Sequence, residues 1–286
     1  MRLVRLWADL VWTITIVCLF VQVAHASRKN KVRWAWVDES CKTNLGDLNQ
    51  AFQEYLGFTR VTHDSLGDEI TEVGKATLRT FFGDIDSTGL LIQNKYKSLG
   101  EIGRSGKVIP YSIYCDSSAF EWVGDCEEPG VGQWQAIRGN PDQPELSVRD
   151  EKTNDICEDV HGNQANAASQ PNGNAITLCP LAFQKPTIIG NVRNHVQLAG
   201  TSLDHMVSLS SVLLHEMTHV ALGNQDFKYD TMPCISLAIT TPSRARKNAD
   251  TYELFSLGEE LGGRNELGSA PGHESANPAL NLSSIA

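Results

Sequence analysis

The stretch that decides the reading runs Ser208-Leu-Ser-Ser-Val-Leu-Leu-His215-Glu216-Met217-Thr218-His219-Val-Ala-Leu-Gly223. Apolar Leu209, Val212, Leu213, Met217 and Val220 recur at helical steps, Ser208 or Ser210 stands where a start cap belongs, and Gly223 can close the end. The spacing predicts a helix buried on one side. His215 and His219 are one turn apart on it, so their Cβ atoms share a face about 5–6 Å apart. Two imidazoles placed this way can grip one metal ion, and Glu216 points toward the same cleft.

Zinc suits such a pair because imidazole nitrogens are borderline-soft ligands, and three protein ligands leave a fourth position for water. The metal lowers the water pKa toward ~7, and Glu216 takes the proton as the oxygen attacks a peptide carbonyl. A chain with this His content produces the pattern by chance in only about one case in a hundred. The rival is a buried helix whose histidines only satisfy local hydrogen bonds. A third protein ligand is still needed. Gln225 stands six positions after His219 and Leu222 three after, which excludes the three-histidine arrangement. A Glu on a following helix is offered by Glu253, and an Asp shortly after the helix by Asp226 or Asp230.

Working outward, the chain has 286 residues, 41% apolar and 20% charged, which excludes a disordered polymer, and it lacks any apolar run long enough for a spanning helix. A net charge of −10 argues against non-specific binding to nucleic acid or anionic membrane, since both need a basic footprint. Residues 1–26 read as a secretion signal: Arg2 and Arg5, then apolar Leu10 to Val23, then Ala24-His25-Ala26 as a small-x-small cleavage site. Cleavage before Ser27 removes Arg2, Arg5, Asp9 and Cys18, leaving a charge of −11 and six cysteines. An even number in an oxidising compartment favours three disulfides, and composition does not choose the pairings. Only Ser27 to Arg33 precede the domain, so no long pro-segment is expected.

Periodicity predicts a helix from Asp47 to about Thr62, through Leu48, Ala51, Phe52, Tyr55, Leu56 and Thr59, and a second from Asp86 to about Tyr96, capped by Asp86 or Ser87. Val108 to Tyr114 and Ala175 to Phe183 read as strands, each with a Pro (Pro110, Pro180) that marks an edge or a strand end. Asp116 to Asn174 reads as a loop-rich region pinned by Cys126 and Cys157. Residues 263–286 read as a flexible tail carrying a glycosylation sequon at Asn281. His63, His161, His195, His205 and His273 have no paired spacing and read as surface or hydrogen-bonded residues. Arg244, Arg246 and Lys247 read as solvating the polar face of the next helix.

Gly223-Asn224-Gln225-Asp226-Phe227-Lys228-Tyr229 resembles the G-T-x-D-x-x-Y-G signature of the aspzincins, the deuterolysin-like and lysine-specific secreted fungal metalloendopeptidases. Asn248-Ala249-Asp250-Thr251-Tyr252-Glu253-Leu254-Phe255 is similar to their N-A-D-x-Y-x-x-F helix, and Ile176-Thr177-Leu178-Cys179-Pro180 to their strand ending in Cys-Pro. Trp36, Cys41 and Ile113-Tyr114-Cys115-Asp116 extend the likeness over most of residues 34–262. It departs at Asn224 (Thr in the signature), at Asp230 (Gly) and in a short link from His219 to Asp226.

The resemblance implies a single zincin-like α+β domain over residues 27–262, mainly helical with a small mixed sheet and disulfide-stabilised. It implies one Zn2+ per chain on His215, His219 and Asp226, with Asp230 as the backup third ligand. Glu216 is then the general base, Tyr229 a transition-state hydrogen-bond donor, and Asp250 a carboxylate that orients a ligand histidine. The disulfides expected are Cys41–Cys115 and Cys157–Cys179, leaving Cys126 with Cys234. The resulting expectation is a secreted, extracellular, monomeric zinc endopeptidase acting on proteins or peptides. The alternative is a catalytically inactive zincin-like binding or antigen protein.

Overall fold

The computed structural model describes residues 35–67, 70, 72–83, 88–102, 111–124, 132–137, 155–159, 161–170, 174–185 and 202–267. The expected leader, Asp86, Ser87, Pro110, Cys126, His195, His273 and the Asn281 sequon lie outside these residues. Among those described, no helix is long and apolar enough to cross a membrane.

The architecture is α+β, as expected. A mixed four-stranded sheet has the order β1-β2-β6-β5. Strands β1 (Trp36–Val37), β2 (Ser112–Tyr114) and β6 (Ala175–Leu178) are parallel, and β5 (Ala167–Gln170) runs antiparallel along β6 as the edge. Every residue of β2 and β6 is buried, Ser112 and Thr177 included, as befits strands covered on both faces. Pro180 follows the end of β6, where its missing N–H costs no ladder bond. Strands β3 (Phe120–Gly124) and β4 (Gly132–Ala136) form a separate hairpin in which Trp122 faces Trp134.

The helices are α1 (Leu45–Ser65), α2 (Glu72–Phe82), α3 (Gly89–Glu101), α4 (Leu209–Leu222), α5 (Thr231–Thr240), the single turn α6 (Pro242–Ala245) and α7 (Ala249–Leu267). In α1 the predicted stripe Leu48, Ala51, Phe52, Tyr55 and Thr59 is buried, and Leu56 packs at its margin. Phe82 of α2, Tyr96 of α3, and Tyr252 and Phe255 of α7 meet edge to face or tilted at 5.1–5.9 Å. The Tyr96 hydroxyl donates to the Tyr252 carbonyl at 2.7 Å, so this aromatic knot also fixes the height of α7.

Helix α4 departs from the one-sided burial its apolar spacing predicts: every residue from Leu209 to His219 is buried. It packs on α1 and α7 and against β5 and β6, so neither flank meets solvent. Other departures concern the extent and number of elements. Helix α3 continues past Tyr96 to Glu101, and α7 runs to Leu267, beyond the expected domain end at 262. The loop-rich reading of 116–174 misses β3, β4 and β5, and α2 and α5 are also unforeseen.

The disulfides Cys41–Cys115 and Cys157–Cys179 form as expected. Their loops span 74 and 22 residues, contributing about 4 and about 3 kcal/mol by restricting the unfolded chain. The third expected bridge fails, because Cys234 is a buried free thiol. It faces inward from the first turn of α5, where Asn248 and Asp250 occupy the space a partner sulfur would need. The basic run also departs from its expected role. It precedes α7, and Arg246 reaches across to donate to Thr88 while Arg244 lies 5.4 Å over the Phe227 ring.

Candidate metal centre

Helix α4 begins with a reciprocal cap: Ser208 Oγ accepts from the Ser211 amide, and the Ser208 amide donates to Ser211 Oγ. Ser210 adds a 2.7 Å bond to the buried carboxylate of Glu54 on α1. The helix ends at Gly223, whose φ of +64° suits glycine, with the Gly223 amide donating to the His219 carbonyl and the Asn224 amide to that of Thr218. Both ends are therefore fixed, and His215, Glu216 and His219 sit between them on a rigid, buried segment.

His215 Nε2 and His219 Nε2 are 3.1 Å apart, and Asp226 Oδ1 is 3.2 Å from each. Donor atoms bonded to one tetrahedral zinc at about 2.05 Å would stand about 3.3 Å apart, so this triangle fits the ion. The other ring nitrogens are already engaged. His219 Nδ1 donates to the Asn224 carbonyl at 2.9 Å, while His215 Nδ1 faces Glu253 Oε2 at 3.3 Å and Asp250 Oδ1 at 3.5 Å. Those contacts turn both Nε2 atoms toward the Asp226 oxygen, and three potential ligand atoms at this separation could hold one metal ion.

The electrostatics agree. Burial disfavours a charged His215, yet Asp226, Asp250, Glu253 and Glu216 around it raise its pKa well above the ordinary imidazole value. Burial opposes the charge on Asp226 as well, but hydrogen bonds from His215 and His219 hold its carboxyl below the usual carboxylate range. Glu216 behaves oppositely: its burial lifts its pKa above the ordinary value, against the pull of both histidines. A carboxylate of raised basicity beside a metal site is suited to accept a proton.

The short link from His219 to Asp226 carries no strain at Asp226 itself. Gly223 turns the chain, Gln225 exchanges backbone bonds with Lys247 and Ala249, and no described residue from Asn224 to Tyr229 has positive φ. Asn248 then clamps the loop, its Oδ1 accepting from the Phe227 and Lys228 amides at 2.7 and 2.9 Å. Asn224, which stands for the signature Thr, contributes through its carbonyl, while its side-chain amide is buried without a partner.

Asp230 is outside the triangle. It is exposed at φ +67° immediately before α5, and its backbone amide donates to Asp250. Tyr229 lies at the rim, 56% exposed, its ring stacked 6.4 Å from that of His215 and its hydroxyl bonded to Asp226. Glu253 touches His215 at Nδ1, on the far side from Asp226, and its Oε1 is buried without a partner. Among the other histidines, His205 sits in a short 3-10 turn, His63 pairs with Asp64 and His161 is exposed.

Two site residues escape the sequence reading. Glu253 is visible only as a ligand candidate, since i to i+3 spacing from Asp250 does not say which ring atom the pair meets. Ser169 is missed altogether. It lies in β5, Ala-Ala-Ser-Gln, which has no β-branched or aromatic residue to mark a strand, yet its hydroxyl bonds to the Glu216 carboxylate.

The sequence of residues 132–257 matches the family model of the aspzincins, described as lysine-specific metallo-endopeptidase. That span runs from β4 into α7 and includes Ser169, His215, Glu216, His219, Asp226, Tyr229, Asp250 and Glu253. Among solved structures, the chain is similar to a zinc peptidase from Grifola frondosa at 18% identity and a TM-score of 0.47, covering 76% of this chain and 96% of that one. No curated protein matches the sequence.

Proposed function

We propose that this chain, whose residues 132–257 match the aspzincin family model, is an aspzincin-type, secreted, monomeric zinc endopeptidase with its site on α4. The observation that carries the reading is the triangle of His215 Nε2, His219 Nε2 and Asp226 Oδ1, 3.1–3.2 Å on each side. These three residues hold one Zn2+. When bound, the ion supplies an acidified water and polarises the scissile carbonyl.

The chain's own groups do the rest. Glu216 receives the proton at its carboxylate and delivers it to the leaving amine, a transfer its raised pKa favours. Tyr229 swings its hydroxyl from Asp226 to the oxyanion that develops on the carbonyl. Asp250 and Glu253 keep His215 oriented from behind, and the Asn224 carbonyl does the same for His219.

Strand β5 supports a peptide substrate. The Cys179 amide donates to the Asn166 carbonyl, so the alternation of antiparallel pairs directs the Ala167 and Ser169 backbone groups away from β6, toward the open edge. An extended peptide adding there lies beside the metal triangle. Lysine beside the scissile bond is the preferred side chain, a preference supported by the family's description.

Metal analysis of the purified protein, with casein hydrolysis measured before and after chelation, tests the proposal. About one zinc per chain and chelator-sensitive cleavage are expected. Glu216→Gln should keep the zinc and lose the cleavage. Zinc without cleavage in the unmutated protein would leave the inactive binding role instead. Peptides cut equally beside lysine and alanine would remove the lysine preference while leaving the peptidase.

A further inference from the structure

We infer that Ser169 is a positioning residue for Glu216, holding one carboxylate oxygen so that the other is presented to the reacting water. The inference rests on the peptidase reading and adds a component to it. Strand alternation puts Ala167 and Ser169 on the same face of β5. Ala167 packs on the core cluster that includes Leu213 and Met217 of α4, so this face looks onto the metal-bearing helix. Ser169 stands opposite Ile176, a member of the same cluster, so its hydroxyl points toward α4, where it reaches the Glu216 carboxylate.

The ligand groups beside Glu216 are poorly placed to donate to it. Once His215 and His219 commit both Nε2 atoms to a metal, their remaining protons are held by the Asp250–Glu253 pair and by the Asn224 carbonyl. Asp226 is a carboxylate and can only accept. A Glu side chain has three rotatable bonds, and a general base that samples several rotamers spends time misaligned, which lowers turnover more than substrate binding. A hydroxyl also fits both halves of the proton cycle: it donates to the carboxylate and, after a rotation about its C–O bond, accepts from the carboxylic acid. Because the Ser169 backbone faces the open edge of β5, a peptide pairing there also steadies the hydroxyl that aims the base.

The test compares Ser169→Ala and Ser169→Thr in the full zinc-loaded protein, measuring kcat and KM on a peptide and, by calorimetry, the affinity for a peptide hydroxamate, whose hydroxyl bonds to the base. Losing a hydrogen bond to a charged group predicts a fall of about tenfold to hundredfold in kcat for the Ala variant, with KM and zinc content unchanged. Hydroxamate affinity should fall by about tenfold, and Ser169→Thr should restore both quantities. Wild-type kcat and hydroxamate affinity in Ser169→Ala, zinc loss in step with activity, or a Thr variant as impaired as the Ala one would each overturn the inference. If the unmutated protein binds zinc but cuts no peptide, the peptidase reading fails by itself. The hydroxamate affinities then decide the role of Ser169 separately.

Discussion

Asn248 is fully buried where α7 begins, and Asn248→Ala is the substitution with the most informative cost. Its Oδ1 accepts from the Phe227 and Lys228 amides, and its Nδ2 donates to the Lys228 carbonyl at 2.9 Å and to Thr251 at 3.0 Å. Alanine strips the Phe227 and Lys228 amides of their partner and leaves the Lys228 carbonyl only the weak Cys234 thiol donor. The loop around them is part-exposed, so water recovers some of the loss and each amide costs about 1 kcal/mol, giving about 2 kcal/mol in total. Asp226 immediately precedes Phe227, so the same change frees its carboxylate to wander, and zinc affinity should drop by about tenfold to hundredfold. Equilibrium urea unfolding in the presence of a chelator isolates the first quantity, and competition with a chromogenic chelator gives the second. Asn248→Asp is the control. It keeps both accepted amides but loses the donation to Lys228 and buries a charge near Asp250, so it should be no more stable than Asn248→Ala at neutral pH. An Ala variant within about 0.5 kcal/mol of wild type would refute the clamp, because that is the range of substitutions touching nothing important.

Asp230→Gly should stabilise the protein: φ +67° with ψ 161° is a conformation nearly reserved for glycine, and relief of about 1–3 kcal/mol exceeds the roughly 1 kcal/mol that glycine's unfolded-state freedom costs. A melting temperature lowered by this change would refute the strain. Asp226→Ala should reduce zinc affinity far more than Asp230→Ala, and the reverse order would move the third ligand to Asp230. Burial, helped by Lys247 and Arg246, pushes the Lys95 ammonium down to about 8, below its ordinary 10.5. The unfolded chain therefore binds more protons between those values, so stability should rise as pH increases through that window, and Lys95→Met should flatten the rise in pH-resolved urea titrations.

The helix that carries the histidine pair was legible because capping, periodicity and histidine spacing are local signals that all agree on α4. Asp226 was narrowed to two candidates but no further. Choosing between them depends on how Gly223 turns the chain and how Asn248 clamps it, and neither contact has a sequence spacing. Strand β5 was hidden by its composition, since Ala-Ala-Ser-Gln owes its extended form to pairing with β6 rather than to propensity. The arithmetic of six cysteines misled at Cys234, where polar neighbours rather than a second sulfur satisfy the thiol.

Both disulfides close on the sheet, one at the end of β2 and the other at the end of β6. Three of the carboxylates around the histidines, Asp226, Asp250 and Glu253, instead come from the stretch between Gly223 and Glu253, which the described bridges do not reach. The molecule thus has two separate vulnerabilities. On the proposed function, a thiol reductant should weaken the layer that would present β5 to a peptide, and a chelator the layer that would hold the ion. Loss of grip on substrate and loss of chemistry should be separable injuries in one chain, the first reversible by air and the second by added metal.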